Sequence, residues 1–115
     1  MKKIEAVIRL EKLEELKAEI NRDFEISGMT VTQVLGYGNQ KGVKEYVRGK
    51  AIITSLLPKV KVSFVLEDKD VESVVDRILM ICGTGEVGDG KIFISPIEEV
   101  IRIRTVPTRQ RSNIE

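Results

Sequence analysis

Four glycines, Gly83, Gly85, Gly88 and Gly90, fall within eight positions and run straight into Lys91. Glycines at that density let backbone N–H groups converge on an anion with no Cβ in the way, which is how a phosphate-binding concavity is built. Lys91 stands at its rim. Further on, the alternation from Val100 to Arg104 predicts a strand with Ile101 and Ile103 on one face and Arg102 and Arg104 on the other. Planar guanidinium forks match phosphate oxygens, so an oligophosphate suits this pair. Taken one at a time, each feature also has an ordinary structural reading, as a turn before a strand or a solvated arginine face. A second chemistry draws on the same cluster: with Asp89 as base or metal ligand, it could belong to a small phosphoryl-transfer or phosphate-hydrolysing enzyme. Against that, the chain has no histidine and the cluster no evident nucleophile.

The composition narrows the field. A chain of 115 residues, 42% hydrophobic and 32% charged, is the size and balance of one globular domain. A formal net charge of +1 lacks the basic excess of a general nucleic-acid binder, and 4% aromatic residues leave little for base stacking. Nucleic acid is therefore excluded as the expected partner. Cys82 is the single cysteine, so no internal disulfide can form. With no apolar run of membrane-spanning length and no signal-like opening, the expectation is a cytoplasmic protein that does not itself insert into a membrane.

These residues need elements to hold them. Ile4, Ala6, Ile8 and Leu10 alternate with Glu5, Val7 and Arg9, which predicts a first strand. Leu13, Leu16, Ile20 and Phe24 then recur at helical spacing, so a helix should follow and end near Asn21 to Ser27. Met29 to Gly38 is rich in β-formers and predicts a second strand, closed by Gly36 and Gly38. From about Asn39 to Leu57 no clean period exists, which predicts a long loop that is both functional and mobile. Val60, Val62, Phe64 and Leu66 mark a third strand. Asp68 or Asp70 offers an N-cap to a second helix, whose stripe runs Val71, Val74, Val75, Ile78, Leu79 and Cys82 and stops at Gly83. The stripe places Cys82 as a buried thiol.

Strand, helix, strand, strand, helix, strand is the split βαβ order: an α+β, ferredoxin-like βαββαβ sandwich with both helices on one face of a four-stranded antiparallel sheet. The other face would carry Val7, Val34, Val65 and Phe93, and burial against further copies in a closed ring would cover it. Residues 106–115 are polar and expected to be loosely ordered.

With these residues in view, the sequence resembles the PII nitrogen-regulatory proteins from Met1 to Thr105. MKKIEAVIR resembles that family's first strand, and GMTVTQVLGYGNQKG from Gly28 to Gly42 its second strand and the start of its T-loop. LPKVKV from Leu57 to Val62, TGEVGDGKIF from Thr84 to Phe93 and RIRT from Arg102 to Thr105 match the third strand, the B-loop and the C-terminal strand. The resemblance implies a homotrimer binding ATP or ADP in clefts between subunits. By position, Gly88, Asp89, Gly90 and Lys91 would hold the phosphates and Arg102 and Arg104 complete the clamp, with the base near Val7, Thr30, Gly36 and Gly38. It also implies that Mg-ATP supports binding of 2-oxoglutarate, with Gln40 at the position that meets Mg2+ and Lys59 at the carboxylates. The implied partner is an ammonium transporter or a nitrogen-metabolism enzyme or regulator, met by a T-loop that includes Lys41, Glu45, Tyr46 and Arg48.

Departures from the family pattern limit what carries over. Arg48 and Gly49 are followed by Lys50, Ala51 and Ile52, where many relatives have a modifiable tyrosine at the last position. Isoleucine has no hydroxyl, so uridylylation there is chemically impossible. Lys50 likewise replaces the serine that some relatives phosphorylate. Asn39 stands where an arginine is common, and Leu10 and Glu11 replace a Pro-Phe pair.

Overall fold

The computed structural model describes residues 1–37 and 56–104, together with the backbone of 44–47 and 50–53. In chain order the elements are β1 (Lys2–Ile8), α1 (Leu13–Asp23), β2 (Thr30–Tyr37), β3 (Lys44–Val47), β4 (Lys50–Ile53), β5 (Leu56–Leu66), α2 (Val71–Cys82) and β6 (Gly90–Pro96). Four of the strands form one antiparallel sheet in the order β2-β5-β1-β6, while β3 and β4 pair only with each other. The main sheet and its two helices are the ferredoxin-like α+β arrangement that the order of periods predicts.

Parity along the strands sorts the side chains. Ile4, Ala6 and Ile8 of β1 and Val60, Val62, Phe64 and Leu66 of β5 are buried together with Leu16 and Ile20 of α1 and Val74 and Ile78 of α2. Two residues per strand repeat thus meet a 3.6-residue repeat on each helix across one apolar layer. Arg77 fastens the helices from outside: its Nη1 donates to Glu19 at 3.2 Å and Asp23 at 2.5 Å, and its guanidinium carbon sits 5.5 Å from the Phe24 ring centre. Among the described residues the opposite sheet face carries no helix. Register puts Val7 beside Lys61 and Lys91, Val34 beside Lys59, Lys3 beside Val65 and Glu5 beside Phe93, so the four expected apolar residues do share that face.

Several expectations need correcting. The strand predicted over Val100 to Arg104 does not form: Ile101 makes an isolated bridge and Ile103 and Arg104 lie in a turn. β6 fills the outer place beside β1 along its whole length, and beyond the single bridge at Ile101 residues 100–104 join no ladder among the described residues. Ile103 is 91% exposed there. Residues 39–57 are not devoid of regular structure, since β3 and β4 pair within them, Lys44 opposite Ile53 and Val47 opposite Lys50, and β5 already starts at Leu56. β1 ends at Ile8, and Leu10 opens a 3-10 turn through Lys12 instead of joining the core, leaving it exposed. Neither aspartate caps α2 with its side chain; Asp68 is taken by the Met1 amino group at 2.9 Å. Gly83 does end α2, but in an extended rather than left-handed conformation. A Cβ at Gly83 would meet the Leu79 carbonyl oxygen at 2.7 Å, which is why glycine stands there. Leu79, counted in the helix stripe, is exposed, and the unpredicted Ile81 is buried in its stead.

Cys82 is buried as its place in the stripe implies, and burial pushes its thiol pKa up to about 11. Thiol reagents attack the thiolate, so native Cys82 should react with an aromatic disulfide at pH 8 at least about tenfold more slowly than the urea-unfolded chain. Equal rates in the two states would contradict that burial.

Candidate functional site

The glycine loop, residues 83–89, joins the end of α2 to β6. Gly85, Gly88 and Gly90 take φ of 83°, 98° and 106°, in the region only glycine enters freely. Gly90 has a second constraint, because a Cβ on it would stand 1.7 Å from the Val7 carbonyl oxygen of β1. Glycine is thus what lets the loop lie against the sheet end.

Asp89 organises the loop from inside. Its Oδ2 accepts from the backbone N–H of Thr84 at 2.7 Å and of Gly85 at 2.8 Å. Its Oδ1 accepts from the Thr84 hydroxyl at 2.5 Å and from Arg9 Nε at 3.1 Å. The Thr84 hydroxyl, then the Thr84 N–H, Arg9 and the Gly85 N–H hold the Asp89 carboxyl well below the usual carboxylate range, outweighing the opposing effect of burial. Arg9 also donates from Nη2 to the Val87 carbonyl at 3.0 Å. Nothing in the local pattern marks Arg9 as functional, since it stands just past β1 and reaches a residue 80 positions away.

Lys59 approaches the loop from the other side. It is 8% exposed, and its ammonium donates to the Gly88 carbonyl. Among the described residues its one hydrogen-bond acceptor is that neutral carbonyl, so a carboxylate or phosphate oxygen nearby would supply counter-charge. Gly36 of β2 makes room for this stem: a Cβ there would meet Lys59 Cγ at 3.0 Å. Lys59 also borders a cleft of about 320 Å³ with Leu10, Gln33, Val34, Leu35 and Pro58, within the size range of small-molecule sites.

The residues expected to bind nucleotide, and Lys59, expected to bind 2-oxoglutarate, are not all brought together. Gly88, Asp89, Gly90, Lys59 and Gly36 gather at one end of the sheet, and Lys91 and Val7 are cross-strand neighbours on the open face. Thr30 lies on that face too, as the first pair of the β2/β5 ladder, opposite Ser63. Yet β2 and β6 are the two outer strands, with β5 and β1 between them, so Thr30 and Lys91 stand about 14 Å apart across the sheet. Arg102 is partly buried and Arg104 exposed, beyond β6 and not on a shared strand face. Gly38, Gln40, Lys41 and Arg48 lie outside the described residues. Glu45 and Tyr46 fall on β3, with Glu45 opposite Ile52 and Tyr46 opposite Ala51. No helix among the described residues is long and apolar enough to cross a membrane.

The family model described as "Nitrogen regulatory protein P-II" matches residues 1–106. A nitrogen regulatory protein P-II of Microchaete diplosiphon is 54% identical over 106 residues, covering 91% of this chain and 93% of its own. One from Rhizobium meliloti is 50% identical over 108 residues, covering 94% and 96%. Nitrogen regulatory protein P-II 2 of Methanothermobacter thermautotrophicus is 50% identical over 105 residues, covering 91% and 90%. A glycine loop laid against the sheet end, a lysine beneath it and a match spanning nearly the whole chain place this protein in the PII family of nitrogen regulatory proteins.

Proposed function

We propose that the chain is a non-enzymatic switch that reads ATP against ADP on its glycine loop and, with Mg-ATP present, 2-oxoglutarate beside Lys59. The observation that carries this reading is the nearly buried Lys59, whose ammonium meets the Gly88 carbonyl of a loop whose glycines leave room for an anion. Separation of Thr30 and Lys91 on opposite sheet edges supports a cleft completed by another copy, in a homotrimer whose contacts also cover Val7, Val34, Val65 and Phe93. Among the described residues no three Asp, Glu, His or Cys side chains gather. By the family resemblance a magnesium ion would be held by phosphate oxygens and Gln40, which lies outside the described residues, and would neutralise phosphate charge. The segment from Lys41 through Glu45 and Tyr46 to Arg48 would then present one of two conformations to an ammonium transporter or a nitrogen-metabolism enzyme, so that ligand identity selects the partner.

A phosphoryl-transfer enzyme would need Asp89 as its base. A carboxylate already satisfied by four donors is a weak proton acceptor, which favours the switch. Calorimetric titration with ATP, ADP and 2-oxoglutarate, each with and without magnesium, tests the reading. Saturable nucleotide binding is expected, together with 2-oxoglutarate binding only when Mg-ATP is present. Absence of nucleotide binding, or steady ATP turnover abolished by Asp89→Asn, would overturn it.

A further inference from the structure

The loop's anchors are two consecutive carbonyls. Arg9 holds the Val87 oxygen and Lys59 the Gly88 oxygen. In a trans peptide the C=O and N–H point in opposite directions. Fixing those two oxygens toward sheet cations therefore turns the Gly88 and Asp89 N–H groups away from them, on the side where an anion is met by N–H dipoles instead of repelled by carbonyls. Of the two anchors, Arg9 does more than hold an oxygen. Its Nε is also on Asp89, which in turn gathers Thr84 and Gly85, so one guanidinium fixes both ends of the turn.

We infer that Arg9 and Asp89 are positioning residues for the anion loop: they aim its N–H groups, and so set its affinity for a polyphosphate, without either side chain touching the anion. This rests on the reading that the loop binds nucleotide phosphates. It gives Asp89 a role that charge alone would not suggest. A carboxylate beside a polyphosphate repels it, and removing the negative charge should strengthen binding if Asp89 were only a bystander. As a positioning group its removal should weaken binding, because the loop must then be ordered at the expense of binding free energy.

ATP and inorganic triphosphate are titrated calorimetrically into the full chain and into Asp89→Asn and Arg9→Lys. Asp89→Asn should bind both ligands about tenfold more weakly despite the gain in positive charge, in line with the loss of charge-assisted hydrogen bonds. Arg9→Lys keeps the charge but replaces the rigid fork, whose Nε and Nη2 reach Asp89 and Val87 separately, with one ammonium on a shorter stem, so a loss of at least about fivefold is expected as well. In the ligand-free Asp89→Asn protein, the Thr84 and Gly85 amides should exchange at least about tenfold faster while those of α1 and α2 are unchanged, separating loop release from general unfolding. Equal or tighter binding by Asp89→Asn would overturn the inference; if that variant does not fold, unchanged affinity in Arg9→Lys does so. Failure of the unaltered chain to bind either ligand would instead overturn the functional reading beneath it.

Discussion

Gly90→Ala is expected to destabilise the fold by about 4 kcal/mol, combining backbone strain with overpacking against a main-chain atom. The new Cβ would fall 1.7 Å from the Val7 carbonyl oxygen, and the residue would have to keep a φ of 106°. A flexible side chain could swing aside. A strand backbone cannot, because Val7 is held between Lys61 of β5 and Lys91 of β6. The β1/β6 ladder must therefore part at its loop end, which also removes Lys91 from its place. Domains of this size have about 5–15 kcal/mol in hand, so a urea midpoint far below that of the unaltered chain should be plain. Gly85→Ala is the control: its φ is 83°, but no atom lies within 4 Å of the added Cβ, so only about 1–2 kcal/mol of strain is expected. Similar midpoints for the two variants would show that contact with Val7 is not the deciding term.

Lys91→Ala should leave the unfolding midpoint nearly unchanged and weaken ATP binding by about ten- to a hundredfold, the range for losing charge-assisted hydrogen bonds to phosphate. Lys91 is exposed on the open face, next to the loop and opposite Val7, so its removal opens no cavity. The loss should shrink as salt rises, since a cation at an exposed rim acts through a screened field. Unchanged ATP affinity in Lys91→Ala at low salt would remove the residue from the site.

The main sheet and its helices were legible in the sequence because one apolar layer imposes its period on every element that touches it. Ile4, Ala6 and Ile8 alternate, and Leu16 and Ile20 recur a helical turn apart, for the same reason: all five are buried in one core. Where no core is touched, the signal vanishes. β3 and β4 pair only with each other, so no apolar parity betrays them. The opposite error arose at Ile101 and Ile103, whose alternation is genuine but, past a single bridge at Ile101, joins no ladder among the described residues. At the candidate site, glycine density and Lys91 were visible because local backbone chemistry requires particular residue types. The role of Arg9 was not, since it depends on a contact with Asp89 that exists only after β1 and β6 have paired. Asp89 was legible as a member of the loop but not as its internal tie, which takes the Thr84 and Gly85 contacts to see.

The hairpin of β3 and β4 shares no ladder with the four-stranded sheet. Its sequence can consequently drift with little penalty to folding, since a substitution there disturbs only a local pairing. The sheet and the glycine loop laid against its end are thereby insulated from sequence change in the hairpin.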